Sequence, residues 1–287
     1  MTRAAFLFAI LCGCLCANGT AFPVKPRTCY EATFRVRVVE GMMIEDVPQL
    51  RKLMSIAASR SSYLGLGFCR VQWRFADADG KDIPRPYEGA APQTLFSKKW
   101  KTCRYRFWTP ENAARFEIFA QPGRKGDKVD IADLEVCEVP APETLNFNGD
   151  FSADADIPWG WQLVGSALFQ ELPSGRSVVH VVEDTVRSDL FPVTPGTHVK
   201  VAASGSSPIL RGGQEDRSTN VRIAFFATFA EACTNRAAGD VAVALKGRNA
   251  VAASSIVVPE GKHWARLSAW NGLLAKVEVR ELGKAER

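Results

Sequence analysis

One stretch near the C-terminal end of the sequence alternates aromatic and polar residues in a way that suits ligand binding. Residues 264–270 read Trp-Ala-Arg-Leu-Ser-Ala-Trp. In a β-strand, successive side chains point to opposite faces, so Trp264, Arg266 and Trp270 would share one face and the apolar residues the other. Aromatic rings stack on the apolar faces of sugar rings, and guanidinium groups donate hydrogen bonds to hydroxyls or carboxylates. The alternation therefore predicts a binding surface.

The sequence contains none of the short motifs around which catalytic sites are commonly built. It has no Gly-x-Ser-x-Gly elbow, phosphate-binding loop, His-Glu-x-x-His pair or dinucleotide-binding glycine pattern. Its three histidines are scattered, at positions 180, 198 and 263. The 36 Lys and Arg against 31 Asp and Glu give a net charge of +5, which is too small to indicate a nucleic-acid partner. We therefore predict that the protein is not an enzyme and does not bind nucleic acid.

The first 21 residues have the features of a secretory signal peptide. Arg3 supplies a positive start, residues 4–16 are almost entirely apolar, and small and polar residues lead to Ala21, after which we predict cleavage. A lipoprotein-like cut with a lipid anchor on Cys14 is a rival interpretation, and a buried first strand is another. The apolar run is too short to span a bilayer. We expect a secreted, periplasmic or cell-surface protein with no membrane span.

The rest of the sequence repeats itself. Five of the seven residues in 22–28 are identical to those in 191–197, and three further matches follow in the same order. The four matches have offsets of 169, 150, 149–151 and 148 residues. We therefore predict two copies of one domain, at residues 22–140 and 141–287, joined at a proline-rich linker. The other matched segments are 71–75 with 221–225, 110–115 with 259–266, and 128–134 with 276–282.

Apolar and polar residues alternate along short segments of both copies, and this period favours antiparallel sheets with one wet face each. One segment departs from that period. Residues 46–58 place apolar side chains at helical spacing behind Asp46, a suitable N-cap, and predict one short helix inserted in the first copy. The alternating segments are 32–38, 69–75, 103–107, 199–203 and 221–225.

Residues 146–287 resemble a known family through several short motifs. The motifs are Asn-Gly-Asp-Phe at 148–151, Pro-Trp-Gly-Trp at 158–161, Phe-Pro-Val-Thr-Pro-Gly at 191–196, Val-Pro at 258–259 and Ala-Arg at 265–266. In these the second copy resembles the jelly-roll carbohydrate-binding modules of bacterial polysaccharidases, which have the galactose-binding-like fold of the cellulose- and xylan-binding type. The resemblance implies an all-β fold of two tandem antiparallel jelly-roll β-sandwiches, of which the first is shorter at its N-terminus.

The family often carries a structural calcium, which makes calcium a question for this chain. In the family, Glu comes directly after the Phe that matches Phe151, and a pair of Asp often stands in the closing strand. Here the matching places hold Ser152 and Arg280-Glu281, which makes the calcium doubtful. We expect no cofactor.

The resemblance also implies that three strands of the second copy are neighbours in one sheet. Their outward side chains would then form one ligand-binding face. From this we predict a secreted, non-catalytic protein that recognises polysaccharide or another glycan. The alternative is a cell-surface or periplasmic scaffold that binds proteins and has no sugar site, with Trp264 and Trp270 buried at the domain junction. The predicted face consists of His198, Lys200, Arg222, Phe226, Trp264, Arg266 and Trp270.

The other tryptophans predict two different environments. Trp161 comes soon after the predicted opening strand at 148–151 and is expected to plug the end of the fold. Trp100 and Trp108 lie on the same side of their strand as Arg104 and Arg106, which predicts an exposed stripe with cation–π contacts.

Four of the five cysteines that follow the predicted signal lie in the first copy, which predicts disulfides in that copy. Four cysteines allow three connectivities. Cys69 and Cys103 both occupy inward positions on strands expected in opposite sheets, which favours a Cys69–Cys103 bridge and leaves Cys29–Cys137 by elimination. Cys233 falls in a predicted turn, as a thiol or an intermolecular bridge.

Overall fold

A computed structural model describes most of the chain as antiparallel β-structure. Residues 1–19 of the predicted signal and the predicted helix at 46–58 lie outside the described residues, whereas Thr20 and Ala21 belong to the first strand. In the described part, sixteen strands and one six-residue helix are present, and no helix is long and apolar enough to cross a membrane. The described residues are 20–41, 69–84, 93–94, 98–122, 124–152, 160–163, 168–172, 174, 177–207, 218–235 and 239–283.

The N-terminal half, residues 20–138, forms two antiparallel sheets. One sheet has the order β1-β6-β3-β4 and the other the order β5-β2-β7. Along β2, Ala32, Phe34 and Val36 are buried, as the alternation predicts. The strands are β1 (Thr20–Pro23), β2 (Cys29–Glu40), β3 (Arg70–Ala76), β4 (Gln93–Thr94), β5 (Lys101–Trp108), β6 (Arg115–Gln121) and β7 (Lys128–Glu138).

The C-terminal half, residues 161–281, contains the remaining strands, all paired antiparallel. The single described helix, α1 (Phe229–Thr234), follows the sixth of these strands. The strands are β8 (Trp161–Leu163), β9 (Leu168–Glu171), β10 (Ser177–Ser188), β11 (Phe191–Pro192), β12 (His198–Ser206), β13 (Thr219–Phe226), β14 (Asp240–Leu245), β15 (Ala250–Val257) and β16 (Trp264–Glu281).

Strand β16 belongs to both layers of the C-terminal half. Its first part, 264–270, pairs with β13, and its last part, 273–281, pairs with β12, while β10 follows β16 across the bend and pairs with 268–270 and 272–274. Between the two parts, Asn271 and Gly272 have positive φ angles of 57° and 93°. We call the layer β8-β10-β16-β13-β14 the front sheet, and the layer formed by the end of β16 with β12 and β15 the back sheet. The inward side chains of both sheets are buried in one core, which is the arrangement of a β-sandwich.

The strand pairings of the two halves correspond to each other. Strand β2 pairs with β5 and β7, as β12 pairs with β15 and the end of β16. Strand β3 pairs with β4 and β6, as β13 pairs with β14 and the start of β16, and β1 pairs with β6 as β11 pairs with β16. Strands β8 to β10 have no described counterpart in the N-terminal half. The division into two copies of one domain stays a prediction.

The two halves share a continuous buried core at a close junction. Phe75 of the N-terminal half meets Phe229 of α1 edge-on, with ring centres 6.3 Å apart. The Tyr105 hydroxyl donates a 2.7 Å hydrogen bond to Asp189 Oδ2. The buried side chains are therefore continuous across the junction instead of forming two isolated cores.

No disulfide joins any of the five described cysteines in this structure. Cys137 lies opposite Glu31, diagonally across from Cys29. Diagonal neighbours have Cα atoms roughly 7–8 Å apart, which exceeds the usual span of a disulfide, so the register disfavours a Cys29–Cys137 bridge. Cys69 and Cys103 are both buried, in strands or strand ends of opposite sheets, as the sequence indicates, and their disulfide stays a prediction.

The bend of β16 yields a stability prediction. A Cβ atom at Gly272 would lie 1.8 Å from Thr219 Oγ1, so Gly272→Ala should lower the free energy of unfolding by about 2–5 kcal/mol through steric overlap and backbone strain. Gly261 has a similar φ of 72° and open space around it, so Gly261→Ala should show only the strain, about 1–2 kcal/mol. Urea unfolding measures both. Equal losses would mean that the bend imposes no close packing.

Candidate functional site

The structure separates the predicted ligand-binding face into two groups of residues. His198 and Lys200 lie on β12 in the back sheet, where Lys200 pairs with Arg280. The expectation that β12 lies beside β13 is therefore wrong, because β13 pairs with the part of β16 before the bend at Asn271 and Gly272 and β12 pairs with the part after it. His198 and Lys200 do not belong to the surface that the other predicted residues form.

The other five predicted residues do share one face of the front sheet. Strands β13 and β16 place Phe226 opposite Trp264, and Ala224 opposite Arg266. Further along, Arg222 lies opposite Ser268, and Asn220 lies opposite Trp270. Opposed residues point to the same side of a sheet, so this outer face runs from Trp264 at one end to Trp270 at the other.

The Trp264 end of this face is buried, which corrects the prediction of an exposed surface there. Trp264, Arg266 and Phe226 have only 0%, 2% and 1% of their surface exposed. Helix α1 packs over them, and the ring of Phe229 meets that of Trp264 edge-to-face at 5.2 Å. These three residues are therefore part of a structural contact.

A carboxylate from the N-terminal half completes this contact. Glu111 accepts a 2.8 Å hydrogen bond from Trp264 Nε1 and a 3.0 Å hydrogen bond from the Phe229 backbone N–H. At the other end of α1, the Arg266 guanidinium donates to the carbonyls of Ala232 and Asn235, at 3.2 and 2.9 Å. A cation is favourable there, because the C-terminal end of a helix is electronegative. Burial of these charged and polar groups is therefore matched by hydrogen bonds.

At the other end of the same face the tryptophan is exposed, whereas Ser268 near it is buried. Trp270 has 37% of its surface exposed. Beside it, one row of register-paired residues crosses four strands. We call Trp270, Asn220 and this row the Trp270 face. The row consists of Gln162 on β8, Arg187 on β10, Ser268 on β16 and Arg222 on β13.

Both ends of this row hold a buried polar atom that has no hydrogen-bond partner in the described part of the chain. The atoms are Gln162 Oε1 and Arg222 Nε. The Asn220 side chain at the next position accepts a hydrogen bond from Ser218 at 3.1 Å. Sequence analysis included Arg222 but missed Gln162 and Arg187, because nothing in their sequence context shows that β8 and β10 extend the sheet beyond β16. The only signal for β8 in the sequence was Trp161, the residue at which this strand begins.

The remaining tryptophans divide into buried and exposed residues. Trp161 is buried and donates to the Asn148 carbonyl at 2.8 Å, which confirms its predicted structural role. Trp108 is also buried, so the predicted exposed stripe is wrong at this position; its Nε1 donates to the Leu145 carbonyl. Trp100 is 37% exposed. Its ring contacts Arg35 and Arg37 instead of the predicted partners on β5, Arg104 and Arg106.

Two thiols have pKa values raised by burial. Cys233 lies in α1, not in a turn, and its Sγ is 3.1 Å from the Pro84 carbonyl oxygen of the N-terminal half. Burial raises the pKa of Cys233 to about 12 and that of Cys29 to about 11, so both remain protonated at neutral pH. The part of the chain that the structure describes contains no group of three His, Cys, Asp or Glu residues that could hold a metal ion. The expectation about calcium stays a prediction.

The chain matches no family model and no curated protein. Solved structures similar to it include the tandem CBM22 domain of Xyn10C from Paenibacillus barcinonensis, at 12% identity and a TM-score of 0.31 over 93% of this chain and 84% of that chain. The tandem CBM51 modules of Sp3GH98 from Streptococcus pneumoniae have 10% identity, a TM-score of 0.24 and coverages of 91% and 80%. The ANX2 ectodomain from Arabidopsis thaliana has 11% identity, a TM-score of 0.27 and coverages of 93% and 81%. Because the TM-scores are this low, we take nothing about the ligand from these neighbours.

The junction predicts a loss of stability on removal of one carboxylate. Glu111→Ala would leave two buried N–H groups without an acceptor and should lower the free energy of unfolding by about 2–4 kcal/mol. Glu111→Gln keeps one acceptor oxygen and should lose less. Glu138→Ala, which removes an exposed ion pair with Lys25, is the control and should change little. Urea unfolding followed by tryptophan fluorescence would measure the three variants. A Glu111→Ala variant as stable as the control would show that the two Glu111 hydrogen bonds contribute nothing to stability.

The thiol environments predict an order of alkylation in the native protein. At pH 8, iodoacetamide should modify the exposed Cys137 first, and Cys233 and Cys29 much more slowly because their raised pKa values suppress the thiolate. Peptide mass spectrometry quantifies each site. Equal rates for Cys137 and Cys233 would contradict the buried environment of Cys233. After denaturation without reductant, Cys69 and Cys103 stay unmodified only if their predicted disulfide exists.

Proposed function

We propose that this protein binds carbohydrate without transforming it, and that the glycan lies on the Trp270 face. The observation that carries the proposal is a pair of buried atoms, Arg222 Nε and Gln162 Oε1, that have no hydrogen-bond partner among the described residues and lie on the same face as the exposed Trp270. Buried polar atoms are normally paired, and leaving one unpaired costs roughly 1–3 kcal/mol. A ligand that supplies both partners would recover this free energy on binding.

The chemistry of the two atoms favours a ligand rich in hydroxyl groups. Arg222 Nε needs an acceptor and Gln162 Oε1 needs a donor, and a hydroxyl can be either. The ring of Trp270 offers an apolar surface on which a pyranose can stack. Gln162 and Arg222 are three strands apart, which at the usual interstrand spacing is roughly 14 Å. A site of that length suits an oligosaccharide better than a single sugar.

The charge of the Trp270 face bears on the class of glycan. The face contains two arginines, Arg187 and Arg222, and none of its six residues is acidic. Guanidinium groups bind hydroxyls but bind carboxylates more strongly. The site therefore accepts neutral sugars and favours glycans that carry uronic acids.

We infer further that the chain is exported and contains two copies of one sandwich domain, at residues 22–140 and 141–287. The signal-like composition of the first 21 residues supports export. The corresponding strand pairings of the two halves support the duplication. Non-catalytic glycan recognition outside the cell is consistent with both.

A scaffold without a sugar site is the second candidate function, and the burial of Trp264 favours it. This ring lies at the junction of the two halves, where a scaffold would need a fixed arrangement. Trp270, which a scaffold would also bury, is exposed.

Affinity electrophoresis in gels that contain a neutral xylan, a neutral β-glucan or an acidic pectin tests the proposal. The wild-type protein should be retarded by at least one of them, and Trp270→Ala should weaken binding at least tenfold. Arg222→Leu should weaken binding about tenfold to a hundredfold, the equivalent of one charged hydrogen bond. Because Arg222 Nε has no partner in the unbound protein, this variant should be as stable as wild type or more stable.

Trp100→Ala is the matched control, because Trp100 has the same 37% exposure but lies in the N-terminal half. It should bind as wild type does. Equal losses in Trp100→Ala and Trp270→Ala would place the glycan elsewhere. No retardation of the wild-type protein by any of the polysaccharides would leave the scaffold function.

A further inference from the structure

Strand β15 is an edge strand with exposed apolar side chains. All eight of its residues pair with β12 in continuous register, and no described strand pairs with its other edge. Val251 is 80% exposed and Val257 is 52% exposed. An edge strand presents unpaired backbone N–H and C=O groups that can pair with a further strand.

Two other edge strands, β5 and β14, have features that discourage such pairing, whereas β15 has neither feature. Edge strand β5 carries Lys101, Arg104 and Arg106. Edge strand β14 pairs with β13 in a register that shifts between Val221 and Arg222 of β13. Charged side chains and bulges are the usual protection of an edge. Between Ala250 and Val257 the sequence has no charged residue, no proline and no shift of register. This edge is therefore well suited to pair with another strand.

We propose that β15 is a dimerisation edge at which two copies of this chain pair antiparallel through the same strand. With Ser254 of the two copies opposite each other, Val251 of one copy lies opposite Val257 of the other. The same pairing brings the turn that holds Arg248, before β15 of one copy, near the turn that holds Glu260, after β15 of the other. By the two-fold symmetry each of these contacts occurs twice.

The flanking charges are the reason to assign a second copy of this chain as the partner. Arg248 and Glu260 lie just outside the two ends of β15, both are exposed, and neither forms an ion pair within the described ranges. A strand with a cation before it and an anion after it is complementary to itself only when antiparallel. The two back sheets then join into one continuous sheet across the dimer, on the side of the sandwich away from the Trp270 face.

Sedimentation velocity of the purified full chain, over a range of concentrations, tests the proposal. The wild-type protein should dimerise. Val251→Lys and Arg248→Glu should each raise the dissociation constant at least tenfold, because they place charge in the apolar pair or oppose two carboxylates. The double variant Arg248→Glu with Glu260→Arg should restore the dimer. Val241→Lys, at a 50% exposed valine on β14, is the control and should leave the dimer intact.

Several results would overturn this proposal. A wild-type protein that stays monomeric at all concentrations overturns it, whether or not the edge captures an unrelated peptide. A dimer that the two single variants leave intact overturns it as well. Failure of the double charge swap to restore the dimer contradicts the register. Circular dichroism confirms that each variant is folded. Trp270→Ala should dimerise as wild type does, so the dimer and the glycan site are tested separately.

Discussion

The turn of β16 at Asn271 and Gly272 is the constraint on which the C-terminal half depends. Through this turn a single strand leaves the front sheet, enters the back sheet and closes both layers over one core. Only glycine fits, because a Cβ atom would overlap Thr219. The turn also decides which aromatic ring reaches solvent. Trp270 is the last residue before it and is exposed, whereas Trp264 lies six residues earlier, under α1.

The two ends of the front face differ in how their polar groups are satisfied. At the buried end, Trp264 Nε1 has Glu111 as its acceptor, and Arg266 has two helix carbonyls. A finished protein contact leaves no polar atom unpaired. At the Trp270 end, Arg222 Nε and Gln162 Oε1 are buried and have no partner within the ranges that the structure describes. The proposed glycan site rests on these two atoms, whose partners a bound ligand would have to supply.

Sequence alternation predicted which residues share a face but not what covers that face. It placed Leu267 in the core and Trp264, Arg266 and Trp270 together on the other side, and the structure agrees. It missed the cover, because six residues at 229–234 are too few to show helical periodicity, and Glu111 comes from the other half. The placement of β12 came from the family resemblance and was wrong, because a resemblance does not show that a strand such as β16 changes sheets within its length.

The most direct test of the glycan site is a crystal structure of the protein with an oligosaccharide of the polysaccharide that retards it. A sugar ring should stack on Trp270, with hydroxyls that accept from Arg222 Nε and donate to Gln162 Oε1. These bonds would complete the two unpaired atoms on the face. An oligosaccharide bound elsewhere, with both atoms still lacking partners, would contradict the account.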